Sequence, residues 1–167
     1  RESPFYFIKS TDTLLANGGE VEYPPKTNNL QHEVELVVAI YKPGKDILQE
    51  NALNHVFGYA VGIDLTRRDL QSEAKKLGRP WDTGKTFKQA APITAIQPVI
   101  KIGHPNKGKI QLKVNSSIRH IGDISEMIWS VSAAIANLST YFELAAGDLL
   151  FTGTPAGVGE IHPGDNI

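Results

Sequence analysis

Three acidic residues in this chain have the types and spacing to hold a divalent cation. Glu33 and Glu35 lie two apart in Glu33 to Tyr41, a segment that alternates and is rich in β-branched residues. Successive side chains of a strand point to opposite faces, so the two carboxylates share one face, about 6–7 Å apart along the backbone. That face continues as Val37 and Ala39, where a solvated strand would continue with polar residues. The other face carries Val34, Leu36, Val38 and Ile40 and is expected to be core. Asp64 ends a second apolar run, Tyr59-Ala60-Val61-Gly62-Ile63, where a strand gives way to a loop. Two buried carboxylates repel unless a cation compensates them. Three carboxylates offer only hard oxygen donors, which suit Mg²⁺, Mn²⁺ or Ca²⁺ with water or substrate in the remaining positions. By spacing alone, a solvated strand whose glutamates pair with Lys or Arg fits equally well.

The elements that must position these acids are short and varied. Phe5 to Lys9 reads as a short aromatic strand, and residues 11–30 as loop and short strands punctuated by Asn17-Gly18-Gly19 and Pro24-Pro25. After the strand carrying Glu33 and Glu35, a turn at Pro43-Gly44-Lys45-Asp46 leads to a short helix, Asn51 to Val56, and to the strand ending at Asp64. Arg67 to Lys76 is a helix closed by Gly78 and stopped by Pro80. Strands are expected at Ile93–Ile96, Val99–Ile102 and Lys109–Val114, with Asn115-Ser116 as a hairpin turn. Asp123-Ile124-Ser125-Glu126 has the form of a capping box. The helix it is expected to open runs to about Phe142, with Ile124, Ile128, Val131, Ile135, Leu138 and Phe142 on its apolar face. Gly147-Asp148 turns into the strand Leu149-Leu150-Phe151, followed by the irregular glycine-rich loop Thr152 to Gly159. Strands outnumber helices and strand–helix–strand units do not repeat. This predicts a mixed α+β, mainly β fold, a β-roll with a few peripheral helices.

The 167 residues suffice for one domain with a sizeable core. A formal net charge of −1 argues against a nucleic-acid surface or a polybasic membrane patch. The absence of cysteine excludes disulfides, thiolate metal sites and a cysteine nucleophile, and fits a reducing compartment. No apolar run approaches the roughly 20 residues of a membrane span, and Arg1-Glu2-Ser3-Pro4 does not read as a signal peptide. A soluble cytoplasmic protein is expected.

Taken together, the motifs resemble a known family. His32-Glu33-Val34-Glu35-Leu36, Gly62-Ile63-Asp64-Leu65-Thr66-Arg67-Arg68-Asp69-Leu70-Gln71, Pro80-Trp81 with Gly84-Lys85-Thr86-Phe87, and Thr152-Gly153-Thr154-Pro155-Ala156-Gly157-Val158-Gly159 occur in its order and intervals. Phe7-Ile8-Lys9 matches its aromatic–lysine segment. This resembles the fumarylacetoacetate hydrolase superfamily, in its fumarylpyruvate hydrolase and acylpyruvase branch, toward which Arg79-Pro80-Trp81 also leans. The resemblance implies a homodimeric β-roll and a single catalytic domain over residues 1–167, with an N-terminal lid and C-terminal strands beyond them. It implies Mg²⁺ or Mn²⁺ held by Glu33, Glu35 and Asp64, a catalytic Lys85, and Arg68, Gln71, Gly153 and Thr154 lining the pocket of a small 2-oxo or 2,4-dioxo acid.

The chemistry so implied is metal-dependent hydrolysis of a C–C bond in a 2,4-dioxo acid, releasing pyruvate and a carboxylic acid. Water must then attack a carbonyl, which needs a general base and oxyanion donors. Thr152-Gly153-Thr154 can offer backbone amides and a hydroxyl, since glycine permits close approach. Arg68 and Gln71 stand three apart on a helix start and can face one side, and Arg68 suits a second carboxylate. By sequence alone, Lys85 reads more readily as a surface lysine in a turn, and Arg68 and Gln71 as a solvated helix face. The family's water-activating His-x-x-Glu pair has no counterpart in these residues, and histidines 32, 55, 104, 120 and 162 read as structural or surface residues. Two alternatives therefore stay open: oxaloacetate decarboxylation or isomerisation of a hydroxyhepta-dienedioate at the same site, and a non-catalytic metal- or ligand-binding protein.

Overall fold

The segment carrying Glu33 and Glu35 is the hinge between two sheets. A computed structural model describes residues 2–16 and 18–167; Arg1 and Asn17, the latter in the predicted Asn17-Gly18-Gly19 break, lie outside the described residues. The strands are β1 (Leu14–Ala16), β2 (Leu30–His32), β3 (Val34–Ile40), β4 (Val56–Ile63), β5 (Thr66–Arg67), β6 (Ala91–Ile93), β7 (Gln97–Pro98), β8 (Lys109–Val114), β9 (Ser117–Asp123), β10 (Leu149–Phe151) and β11 (Gly159–Ile161). The α-helices are α1 (Arg68–Lys76), α2 (Asp82–Lys85), α3 (Val99–Ile102) and α4 (Val131–Tyr141). One sheet has the order β1-β6-β4-β3-β10, with β7 added to β4, and is antiparallel except where β1 and β6 run parallel. A second has the order β11-β2-β5, and β8 and β9 form a separate hairpin.

Every residue of β3 is buried, so the strand has core on both faces. Leu36, Val38 and Ile40 pack with Val56, Tyr59, Val131, Ile135 and Leu144 under α4. Val34 belongs to the other core, with Leu30, Leu65, Phe87, Leu112, Val114 and Ile161. Glu33 is the single residue between β2 and β3. Across from it, Asp64 N–H donates to the Glu33 carbonyl at 2.8 Å, which carries the β3–β4 ladder one step beyond the last residue of β4.

The mixed, mainly β architecture is as expected, with five local differences. Asn51 to Val56, expected as a short helix, is the end of a 3₁₀ helix, Gln49–His55, and the first residue of β4. Phe5 to Lys9 is not a strand: it crosses the molecule as irregular chain, held by Thr86 Oγ1 donating to the Ile8 carbonyl at 3.0 Å and by Lys9. Ile93–Ile96 is not a strand: Ile93 ends β6, and residues 94–96 are the irregular link to β7. Val99–Ile102 is the helical turn α3, not a strand; it follows Pro98 and closes at Gly103, whose φ of 69° suits glycine. The capping box at Asp123 and Glu126 is present, but it opens only a three-residue 3₁₀ turn, Ile124–Glu126. The long helix starts later, where Ser130 caps α4 by accepting from Ala133 N–H. Ile128 and Phe142, assigned to its apolar face, lie outside it and are exposed, whereas Val131 and Ile135 are buried as that spacing required.

Candidate metal centre

Glu33, Glu35 and Asp64 converge at the junction of the two sheets. All three are buried, and each offers a carboxylate oxygen lying within 4.8 Å of the other two. Ligands of one Mg²⁺ or Mn²⁺ ion, bonded at about 2.1 Å, stand roughly 3–4 Å apart, so small side-chain rotations suffice to close on an ion.

Cations line the rest of the site. Lys85, from the end of α2, is 2 % exposed, and its ammonium donates to Glu33 Oε2 at 2.9 Å, Asp64 Oδ2 at 2.6 Å and Thr66 Oγ1 at 2.7 Å. Arg68 pairs with Glu33 Oε1 through Nη2, and donates from Nε to Gln31 Oε1 at 2.7 Å and from Nη1 to Gln71 Oε1 at 2.5 Å. Lys9 pairs with Asp64 Oδ1 at 2.9 Å and donates to the carbonyls of Leu65, Lys85 and Ala90 at 3.0, 2.5 and 3.0 Å. The Phe7 ring lies 4.7 Å from the Lys85 ammonium, and Trp81 packs against both Phe5 and Phe7.

The acids divide by their partners. Burial raises the Glu33 pKa, but the Lys85 and Arg68 charges outweigh it and hold this carboxyl below its ordinary range. Asp64 stays above its ordinary value, because burial exceeds the pull of Lys9 and Lys85. Glu35 has no ion pair among the described residues; Gly153 N–H donates to its Oε2 at 2.6 Å. Burial, followed by the Asp64 charge, pushes its pKa up to about 8. Asp64 Oδ1 is buried without a well-aligned hydrogen bond, although the Lys9 ammonium lies 2.9 Å away. An under-compensated Glu35 and an all-oxygen donor set together fit a hard divalent cation.

The sequence-predicted residues therefore come together. Gly153, at a φ of 93°, turns its amide onto Glu35, and the neighbouring Thr154 hydroxyl is buried with no partner. Lys85 is buried in the carboxylate cluster and is no surface lysine. Arg68 and Gln71 do face one side, joined by their own hydrogen bond. His32 turns away from the acids to stack on His120, the rings hydrogen-bonded at 2.9 Å, and burial lowers its pKa to about 4. Lys9 and Thr66 were marked in the sequence only as members of matched segments, and Gln31 not at all. Their contacts span 56, 19 and 37 positions of sequence, beyond any local pattern.

Known proteins share this arrangement of chain. The fumarylacetoacetate (FAA) hydrolase C-terminal family matches residues 1–167. A fumarylpyruvate hydrolase from Ralstonia sp is 45% identical over 166 residues, covering 99% of this chain and 86% of the relative. The human mitochondrial oxaloacetate tautomerase is 39% identical over 164 residues, covering 98% and 74%. The crystal structure of fumarylpyruvate hydrolase from Pseudomonas aeruginosa, in complex with Mn²⁺ and pyruvate, superposes with a TM-score of 0.95 at 48% identity, covering 99% of this chain and 72% of that one. The chain belongs to the fumarylacetoacetate hydrolase family.

Proposed function

We propose that this protein is a divalent-metal-dependent enzyme that hydrolyses a C–C bond of a 2,4-dioxo acid such as fumarylpyruvate, releasing pyruvate. Residues 1–167 form its catalytic domain, with Glu33, Glu35 and Asp64 as the ligands of Mn²⁺ or Mg²⁺. The buried triad with an uncompensated Glu35 carries this reading. The relatives named fumarylpyruvate hydrolase, one of them holding Mn²⁺ and pyruvate, support it.

When bound, the ion supplies Lewis-acid stabilisation of the negative charge that develops on a 2-oxo acid. The chain's own groups contribute binding, orientation and proton return at carbon. Lys85 brings an ammonium to the same point, where it can hydrogen-bond an enolate oxygen and later return a proton to carbon. Arg68, a quarter exposed, is the cation nearest solvent and faces the far carboxylate of a dicarboxylic substrate. The unpartnered Thr154 hydroxyl and the fixed backbone beside Gly153 receive the carboxylate of the pyruvate half. The Phe7 ring lies over the lysine, with Trp81 packed against that ring.

The test is the loss of fumarylpyruvate's dienol absorbance in the presence of Mn²⁺ or Mg²⁺. Asp64→Ala is expected to bring the rate to background, and an unchanged rate in that variant would refute the proposal. A second reading, keto–enol tautomerisation of oxaloacetate, has the support of the human relative. It needs only proton transfer, and no hydrogen bond joins a histidine side chain to the triad among the described residues. Product analysis on a panel of 2-oxo acids separates the two. A homodimer belongs to the same proposal and is checked by light scattering.

A further inference from the structure

Lys9 differs from the other cations of the site in what it holds. Its ammonium has three protons and faces four acceptors: Asp64 Oδ1 at 2.9 Å and the carbonyls of Leu65, Lys85 and Ala90 at 3.0, 2.5 and 3.0 Å. Three of these four acceptors are main-chain carbonyls, whereas the Lys85 ammonium donates only to side chains. The three carbonyls come from three separate segments: the loop after β4, the end of α2, and the residue before β6. Leu65 N–H donates in turn to the Ala90 carbonyl at 2.9 Å, so the ammonium closes a knot already tied at one edge. The Phe87 ring stands 5.5 Å from the same nitrogen, and the side chain is 10% exposed.

We propose that Lys9 is a positioning residue that sets the metal centre from outside it, in contact with the carboxylate of Asp64, with the backbone from which Lys85 springs, and with the carbonyls of Leu65 and Ala90 beside them. One contact orients an acid of the triad, and another fixes the residue whose ammonium bridges Glu33 and Asp64. The geometry requires lysine. A tetrahedral ammonium can serve acceptors converging on one point, whereas the planar guanidinium of arginine spreads its donors and cannot.

The expected sign separates this role from simple electrostatics. A positive charge beside a metal ligand repels the metal, so by Coulomb's law alone its removal tightens metal binding. Loss of orientation acts the other way. Groups that orient metal ligands typically contribute about 10–100-fold in affinity. A purely structural lysine would lower thermal stability and leave the affinity of the folded protein unchanged.

The inference rests on the metal-site reading, and the experiment keeps the two apart. Mn²⁺ alone is titrated calorimetrically into the unsubstituted full chain, Lys9→Met and Lys9→Arg, with circular dichroism confirming the fold of each. The expected result is Kd weakened about 10-fold or more in Lys9→Met and at least about fivefold in Lys9→Arg. A Kd for folded Lys9→Met within about twofold of the unsubstituted protein, or tighter, overturns the positioning role while leaving the metal site standing. If Lys9→Met does not fold, Lys9→Arg decides by the same twofold threshold. No Mn²⁺ binding by the unsubstituted chain overturns the metal reading, and the role of Lys9 with it.

Discussion

Glu35 is the acid whose chemistry follows most directly from where it is. It gains one backbone amide and no cation, and its pKa is pushed up from the ordinary 4.5 to about 8 by burial and by the charge of Asp64. A raised carboxyl pKa means that the folded, metal-free protein holds a proton which the unfolded chain releases. The stability this proton contributes is complete below pH 4.5 and is lost as the pH rises through about 8. A metal ligand must be ionised, so an incoming ion has to expel that proton. Mn²⁺ affinity is therefore expected to fall as the pH drops below about 8. Close to one proton, on the order of the single site predicted to titrate, should be released per ion at pH 7. Calorimetry in two buffers of different ionisation enthalpy reads the number directly, and a value near zero would contradict the assignment.

At the scale of elements, the contact of α2 with α1 decides where Lys85 goes. A Cβ on Gly84 would stand 3.0 Å from both Cβ and N of Gln71, so the helices approach this closely only because residue 84 is glycine. Arg68, Gln71 and Lys85 enter the site from these two short helices. Gly84→Val must push α2 outward. The expected cost is about 2 kcal/mol of stability, in the range of overpacked contacts, read from urea unfolding. A fall in turnover of at least about tenfold should accompany it, as misplaced catalytic groups produce. Full activity in that variant would place the origin of Lys85's position elsewhere.

At the scale of the whole molecule, the two cores meet at one strand. Leu36, Val38 and Ile40 anchor β3 in one core and Val34 anchors it in the other, with Glu33 and Glu35 flanking Val34 at the seam. An ion bound there ties both sheets together and should stabilise the entire fold through its preference for the native state. At 100 times Kd the linkage is about 2.7 kcal/mol, or roughly 5–10 °C in melting temperature for a domain of this size. Differential scanning fluorimetry with Mn²⁺, and again after excess EDTA, is expected to show that rise and its full reversal. Asp64→Ala should show neither. Among the described residues, no helix is long and apolar enough to cross a membrane.

What the sequence determined by itself is what local periodicity and residue chemistry control. The alternation of 33–41 placed two glutamates beside a core, Asp123 and Glu126 wrote a capping box, and the run ending at Asp64 located the third acid. Local patterns overreached where two signals competed. The box at Asp123 was read as the start of a helix that is capped by Ser130, and Val99–Ile102 took a helical turn between Pro98 and Gly103. Tertiary structure alone decided which acid is compensated: Glu33 receives Arg68 and Lys85, Asp64 receives Lys9 and Lys85, and Glu35 receives only an amide. It alone converted Lys85 from a residue in a turn to one of the most buried side chains. Ion pairing and desolvation depend on distances through space between residues 21 to 118 positions apart, and no spacing along the chain encodes them.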